Sequence, residues 1–180
     1  MNLAKSVLRY LKATSNHGLV YRTSKEDISI VGYSDSDWGS STIDRKSMSG
    51  YCFKLSESAS LISWCTKKQP TVALSTCEAK YMAICRATQE ALVLRQLLRA
   101  LSEQTCPISI NVDNQGALAL AKNPVFHKHT KHISLRFHFI RDHINKGALS
   151  LKYVSSADNI ADAFTNPISK FNLSKFQLVQ

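Results

Sequence analysis

The 180-residue chain has little of what marks fibrous, disordered or membrane-spanning proteins. It contains only 6 glycines and 4 prolines, too few for a collagen-like or linker sequence. No apolar run approaches the roughly 18 residues that a membrane helix needs, and the N-terminus lacks the apolar core of a secretory signal. With 44% hydrophobic residues, the sequence predicts a soluble, intracellular globular domain of the size usual for a single unit.

Metal-binding cysteine pairs are also missing. The five cysteines include no Cys-x-x-Cys pair, and without a secretory signal we expect buried thiols and no disulfides. Histidines are frequent between His127 and His143, but they have no cysteine partner and no suitable helical spacing, so a zinc site is disfavoured. We expect packing and phosphate contacts for these histidines.

Acidic residues are scarce relative to basic ones. The chain has 13 Asp and Glu against 23 Lys and Arg, which gives a formal charge of +10 and a pI near 9.5. An excess of this size favours a polyanionic partner, and nucleic acid is the commonest one. The alternative is a basic surface that only keeps the protein in solution.

The hydrophobic periodicity predicts an α/β domain. Alternating apolar residues predict strands, and apolar steps of three and four predict helices. The predicted strands cover residues 28–35, 49–55, 61–65, 107–113 and 149–154. The predicted helices cover residues 3–12, 76–101, 116–122, a second long segment that ends at Gly147, and 158–164. From residue 28 onward the order βββαβααβα predicts a mixed five-stranded sheet with helices packed on it.

Several of the few carboxylates fall at the ends of predicted elements. Asp35 and Asp37 close the first strand, Asp113 closes the fourth, Glu78 begins the long helix and Asp162 lies early in the last one. Such ends meet along one edge of an α/β sheet, where ligand sites form. Converging carboxylates need cations, and hard oxygen ligands suit Mg²⁺ or Mn²⁺. Two such ions about 4 Å apart can activate water and stabilise the leaving oxygen of a phosphodiester.

Each carboxylate also has a purely structural interpretation. Glu78 ends an S-x-x-E capping box, and Asp113 fits the N-cap of the following short helix. Asp162 is favoured by the positive end of its own helix, while Asp35 and Asp37 are common turn residues. Their placement at matching ends favours a shared site over five separate structural roles.

These residues and their surroundings resemble the ribonuclease H domain of Ty1/copia-type retrotransposon Pol polyproteins. The matching motifs follow the family's order over residues 28–168. They are Tyr33-Ser-Asp35-Ser-Asp37-Trp38, Asp44-Arg45-Lys46-Ser-Met-Ser49-Gly50-Tyr51, the segment from Ile62 to Tyr81, Val112-Asp113-Asn114-Gln115, Lys122-Asn123-Pro124, Thr130-Lys131-His132-Ile133, His138-Phe139-Ile140-Arg141 and Ala161-Asp162-Ala-Phe164-Thr165.

The resemblance also divides the chain. Residues 3–21 resemble the end of the preceding reverse transcriptase. The family therefore implies a reverse-transcriptase tail at 1–24, a ribonuclease H domain at 25–168 and a C-terminal tail at 169–180. It implies the reverse transcriptase part of the same polyprotein as a partner, no membrane association, and a location in the cytoplasmic retrotransposon particle or the nucleus.

By resemblance, the catalytic and metal-binding set is Asp35, Glu78, Asp113 and Asp162, with Asp37 able to support or replace Asp35. The family implies a Mg²⁺-dependent endonuclease that uses two ions, for which Mn²⁺ can substitute. Asp35 would bridge the ions, Glu78 and Asp113 would hold the ion beside the leaving 3′-oxygen, and Asp162 would help hold the ion that activates water.

The implied substrate is the RNA strand of an RNA–DNA hybrid, cut during reverse transcription. Such a strand is recognised through its 2′-hydroxyl groups across a shallow minor groove. The candidate nucleic-acid contacts are Lys67, Lys68, Asn114, Gln115, Lys131 and Arg136. A merely solvated basic face predicts the same lysines and arginine.

The sequence departs from the family pattern at three places. The stretch Val154–Asn159 lacks the histidine that cellular enzymes of this fold carry shortly before the last Asp. Lys80 stands where an acidic residue is expected, and Thr165-Asn166-Pro167 replaces Thr-Lys-Pro.

Two other functions compete with the nuclease. One is a catalytically silent nucleic-acid-binding relic or assembly module of the same fold, which the intact D-E-D-D set opposes. The other is an integrase or transposase, in which the essential Glu follows the second Asp. Because Glu78 precedes Asp113, the order of the carboxylates disfavours the integrase.

Overall fold

The computed structural model describes residues 2–16, 18–23, 28–102, 106–122, 131–167 and 178–179. Its strands are β1 (Gly18–Leu19), β2 (Val31–Ser36), β3 (Met48–Lys54), β4 (Leu61–Lys68), β5 (Ile108–Val112), β6 (Leu149–Tyr153) and β7 (Leu178–Val179). Its α-helices are α1 (Asn2–Ala13), α2 (Thr76–Ser102), α3 (Gln115–Lys122) and α4 (Lys131–Asn145). Two 3₁₀ turns, Ser156–Asp158 and Ile160–Phe164, follow β6.

Five strands form one mixed sheet in the order β4-β3-β2-β5-β6. The β2–β3 and β3–β4 pairs are antiparallel, whereas β2–β5 and β5–β6 are parallel. The central strands β2 and β5 are buried along their whole length, while the edge strand β4 is mostly exposed, as expected when parallel strands are covered on both faces. The predicted mixed five-stranded sheet is confirmed.

Helix α2 packs across β2, β3 and β5. It buries residues at helical spacing that include Ile84, Ala87, Ala91 and Leu98, so one stripe faces the sheet while the opposite face meets solvent. The main core joins this stripe to residues of β5, α3, α4 and β6.

The predicted last helix, residues 158–164, is wrong in type. The structure has two 3₁₀ turns there, separated by Asn159 in an extended conformation (φ −75°, ψ 98°). The Asn159 side chain accepts a hydrogen bond from the backbone N–H of Ala161 and donates one to the carbonyl of Ser34. These bonds hold Asn159 outside helical geometry, which explains why a continuous helix does not form.

The segments that flank the sheet are brought together by a two-residue pairing of β1 with β7. Helix α1 keeps its described side chains almost entirely exposed.

None of the described helices has the length and apolar character needed to cross a membrane. The division at residues 24 and 168 stays a prediction.

All five cysteines are free. Cys52 and Cys85 are buried, as expected, whereas Cys65 and Cys77 are half-buried and Cys106 is exposed. The expectation of buried thiols is therefore confirmed for two of the five cysteines.

Candidate active site

Two buried aspartates lie side by side at the carboxyl edge of the sheet. Strands β2 and β5 are parallel neighbours, with Ser34 in register with Val112. The next residue of each chain segment is an aspartate, Asp35 in β2 and Asp113 directly after β5. Their side chains are only 3% and 7% exposed. The strand ends therefore place two carboxylates in one crevice, where α/β sheets form ligand sites.

Lys80 of α2 joins these two carboxylates. Its ammonium Nζ lies 2.7 Å from Asp35 Oδ1 and 2.6 Å from Asp113 Oδ1, and its side chain is 17% exposed. Burial lowers the pKa of Lys80, but the hydrogen bonds to Asp113 and Asp35 outweigh this effect and raise it above its ordinary value. Lys80, one of the three departures from the family pattern, is thus a charged member of the site.

The outer oxygens of both aspartates also have donors. The Thr165 hydroxyl donates to Asp35 Oδ2, and Ser156 Oγ donates to Asp113 Oδ2 over 2.8 Å. Both hydroxyls come from the segment after β6, one on each side of the helix predicted at residues 158–164. Sequence reasoning missed Thr165 and Ser156 as site residues, although Thr165 ends the matching motif that contains Asp162.

Glu78 occupies the start of α2 and is half-buried. Its Oε2 accepts the backbone N–H of Leu74 over 2.7 Å, and its own N–H donates to Ser75 Oγ over 3.1 Å. The second contact is that of the predicted capping box, and the first lies one residue before the box's usual partner. The structure describes no hydrogen bond from Glu78 to Asp35 or Asp113.

Asp37 organises the loop after β2. Its Oδ1 accepts the N–H of Met48 over 2.9 Å, and its Oδ2 accepts the Ser40 hydroxyl over 2.5 Å. Both Asp37 carboxylate oxygens therefore accept hydrogen bonds that stabilise the loop between β2 and β3, which fits the structural interpretation of this residue. Asp35, and not Asp37, contacts Lys80.

Asp162 is exposed, and its Oδ1 accepts the Asn166 amide over 2.6 Å. Thr165 connects the Asp162 turn to Asp35, because its hydroxyl contacts both Asp35 Oδ2 and the Asp162 carbonyl. The structure thus brings Asp35 and Asp113 together, puts Asp162 on a neighbouring turn, and uses Glu78 at a helix start.

A pair of divalent ions does not fit these side chains as they stand. The inner oxygens of Asp35 and Asp113 converge on one point, and the Lys80 ammonium is at that point. Among the described residues, no three His, Cys, Asp or Glu side chains are grouped so that they could hold a metal ion. The four-carboxylate metal set stays a prediction.

A basic cavity of 190 Å³ lies at the end of the sheet where β2 and β4 finish. It is lined by Ser49, Lys67, Lys68, Gln69, Pro70, Met82, Cys85, Arg86, Gln89 and Arg136. Ser49 pairs with Ser36, the residue after Asp35, so the cavity lies at the same end of the sheet as the aspartates. Neighbouring residues of a strand point to opposite faces, so Ser49 and Asp35 are on different faces of the sheet. Three of the six predicted nucleic-acid contacts, Lys67, Lys68 and Arg136, are brought together here.

Arg86 is a cavity residue that the sequence analysis missed. It lies on the same face of α2 as Met82 and Gln89, and its Nε is buried without a hydrogen-bond partner. The available signal was its four-residue spacing from Met82, which places both side chains on one face. A buried guanidinium nitrogen without an acceptor suits an anionic ligand.

The other predicted contacts lie elsewhere. Asn114 caps α3, since its Oδ1 accepts the N–H of Ala117 over 2.8 Å, and Gln115 is exposed in the first turn of α3. Lys131 begins α4, and its side chain lies outside the described residues. His127 and His129 also lie outside them, and His143 packs edge-on against Phe139 with ring centroids 4.9 Å apart.

The chain is similar to Pol polyproteins. No family model matches it. It is 40% identical over 176 residues to the retrovirus-related Pol polyprotein from transposon RE2 of Arabidopsis thaliana. The match covers 97% of this chain and 12% of that polyprotein, so the chain spans about an eighth of its relative.

Solved structures show the same fold. LC11-RNase H1, crystallised in complex with an RNA/DNA hybrid, superposes with a TM-score of 0.54 at 13% identity over 80% of this chain and 99% of that one. The protease-reverse transcriptase of Prototype Foamy Virus superposes with a TM-score of 0.55 at 13% identity, covering 91% of this chain and 23% of that one. The described sheet and helices are those of the ribonuclease H fold.

Proposed function

We propose that this chain, which is homologous to copia-type, retrovirus-related Pol polyproteins and has the ribonuclease H fold, binds RNA–DNA hybrids and hydrolyses the RNA strand. The observation that carries the proposal is the pair of buried aspartates at the carboxyl edge of the sheet, with a basic cavity at the same end of the sheet. We place the reaction in the retrotransposon particle during reverse transcription.

The cavity supports the binding part of the proposal. Lys67, Arg86 and Arg136 line it without an ion pair to a described acidic residue, whereas Lys68 is paired with Asp44 at 2.9 Å. Cations gathered beside a crevice neutralise backbone phosphates and displace counterions. A nucleic-acid strand whose phosphate entered this cavity would lie at the same end of the sheet as Asp35, since Ser49 of the cavity lining pairs with Ser36.

The carboxylates support the hydrolytic part. Asp35 and Asp113 are held in place by Thr165 and Ser156, so their oxygens are fixed before a substrate arrives. Buried, oriented charges contribute to catalysis because they need no reorganisation during the reaction. The proposed cofactor is Mg²⁺, with Mn²⁺ as a substitute, and binding it would require Lys80 to release both aspartates.

Helix α1 supports a connection to the reverse transcriptase portion of the polyprotein. Its apolar side chains Val7, Leu8, Tyr10 and Leu11 are each more than half exposed. An amphipathic helix with its apolar face in solvent is suited to packing against a further partner. We propose that this face contacts the reverse transcriptase portion.

The test is cleavage of a hybrid with a labelled RNA strand in Mg²⁺, comparing the wild type with Asp113→Asn. Asp142→Asn is the matched control, since Asp142 is an exposed partner of Lys146 far from the site in sequence. We expect cutting of the RNA strand alone by the wild type and the control, and none by Asp113→Asn. Equal cutting by all three proteins would contradict the proposal.

A second candidate, a hybrid-binding module without hydrolytic activity, is favoured by the position of Lys80 between the two aspartates. It predicts that the wild type and Asp113→Asn both bind hybrid in a salt-sensitive way while neither cuts it. The same cleavage assay, combined with hybrid binding measured at two salt concentrations, distinguishes the two functions.

A further inference from the structure

We infer that the Lys80 ammonium is a built-in replacement for a divalent cation at Asp35 and Asp113. The inference rests on the proposed function for the nature of the site and concerns the nucleic-acid-free protein, in which Lys80 occupies the position of the ion that hydrolysis would require. It starts from the two contacts of 2.7 and 2.6 Å, which place one positive charge between two carboxylates that are almost fully buried. Two buried carboxylates this close require a cation, because their mutual repulsion is strong away from water.

The hydrogen-bond inventory of the pair is complete without an external ion. Each inner oxygen contacts Lys80, and each outer oxygen accepts a hydroxyl from Thr165 or Ser156. All four carboxylate oxygens therefore have a donor from this chain. A metal ion would have to displace a tethered ammonium before it could use the inner oxygens.

The helix geometry explains why the Glu78 carboxylate does not join Asp35 and Asp113 where Lys80 does. Residues 78 and 80 are two apart in α2, so they point about 200° apart around the helix axis. Lys80 faces the strand ends, whereas Glu78 reaches back to the N–H of Leu74. The side chain of residue 80 thus decides which charge α2 contributes to the site.

We expect weak metal binding by the wild type and a gain when the charge at position 80 changes. Lys80→Glu removes the ammonium and adds a carboxylate on the facing side of α2, so Mn²⁺ should bind at least about tenfold more tightly than to the wild type. Lys80→Gln removes only the charge, so its Mn²⁺ affinity should lie between those of the wild type and Lys80→Glu.

The experiment measures Mn²⁺ binding to the nucleic-acid-free full chain by equilibrium dialysis with electron paramagnetic resonance of the free ion. Lys152→Glu, an exposed position on β6, is the matched control for the same charge change and should bind Mn²⁺ like the wild type. Adding Asp113→Asn to Lys80→Glu should remove the gain. A wild type that binds Mn²⁺ as tightly as both Lys80 variants would overturn the inference.

A second measurement uses only the wild type, so it does not depend on the folding of any variant. In the absence of nucleic acid, nuclear magnetic resonance of the lysine ammonium groups should show the Lys80 signal unchanged by millimolar Mg²⁺, since the ion alone does not displace it. Loss or movement of that signal on adding Mg²⁺ would contradict the inference.

The failure of this inference and of the proposed function can be told apart. If the Lys80 variants gain Mn²⁺ binding while no protein cuts a hybrid, the role of Lys80 stands and the proposed hydrolysis falls. If the wild type cuts a hybrid and its Lys80 signal moves with Mg²⁺, the hydrolysis stands and the role of Lys80 falls.

Discussion

At the scale of single residues, Asn159 links the central strand to the turn that carries Asp162. It is 4% exposed, its Nδ2 donates to the Ser34 carbonyl over 3.2 Å, and its Oδ1 accepts the N–H of Ala161 over 3.2 Å. Ser34 immediately precedes Asp35, so one buried amide positions two parts of the site. A buried group that satisfies both a carbonyl and an N–H is costly to remove, because each partner is left unsatisfied.

Asn159→Ala should lower the free energy of unfolding by about 1–3 kcal/mol, the cost of an unsatisfied buried polar group. Urea denaturation followed by circular dichroism measures the change. Asn145→Ala, at the exposed end of α4, should shift stability by less than about 0.5 kcal/mol, as surface substitutions do. Equal effects of the two substitutions would mean that the Asn159 contacts contribute nothing.

At the scale of elements, Gly50 allows the Ile160–Phe164 turn to lie directly on β3. A Cβ at Gly50 would come within 2.7 Å of Phe164 Cβ and 2.9 Å of Thr165 Cγ2, closer than real Cβ contacts allow. Gly50 also pairs with Asp35 across the β2–β3 ladder. The absent side chain therefore lets Thr165 reach the Asp35 carboxylate.

Gly50→Ala should push this turn away from β3 and destabilise the protein by about 1–3 kcal/mol, as overpacking does. Thermal unfolding measures the loss, and hydrogen exchange should report faster exchange at the Thr165 amide, which bonds the Asp162 carbonyl. Gly18→Ala in β1, where nothing lies within 4 Å of the added Cβ, is the matched control. A Gly50→Ala protein as stable as Gly18→Ala would contradict the packing argument.

At the scale of the whole molecule, the core contains groups that resist ionisation. Burial raises the pKa of the phenols of Tyr33, Tyr51 and Tyr81 and of the Cys52 thiol. In the folded state these groups keep their protons above pH 9–10, where the unfolded chain loses them. Their contribution to stability is complete below the unfolded values, 9.0 for Cys and 10.0 for Tyr, and is lost as the pH rises beyond them.

The free energy of unfolding should therefore decrease between pH 9 and pH 11, by up to about 1.4 kcal/mol per pH unit for each proton that the folded state retains. Urea midpoints at pH 8, 9, 10 and 10.5 measure the slope. Cys52→Ala should reduce the slope near pH 9, since it removes one of the retained protons. Constant midpoints over this range would show that these groups ionise equally in both states.

The order of the elements could be predicted from the amino-acid sequence, because the alternation in the strands and the three-and-four steps in α2 follow from which faces are buried. The sequence also identified Asp35 and Asp113 as strand-end carboxylates, since a polar residue that closes a buried strand is visible in the pattern. It showed Lys80 as a departure, and it showed Arg136, Lys67 and Lys68 as basic residues without assigning them a common location.

Which of these side chains meet depends on the packing of the elements in three dimensions. The phase of α2 turns Lys80 toward the two aspartates and Glu78 toward Leu74, although the two residues are almost adjacent in the chain. Ser156 and Thr165 reach the site because Asn159 interrupts a helix and Gly50 leaves room beside it. These contacts depend on distances between elements far apart in sequence, and the local periodicity of a chain carries no information about such distances.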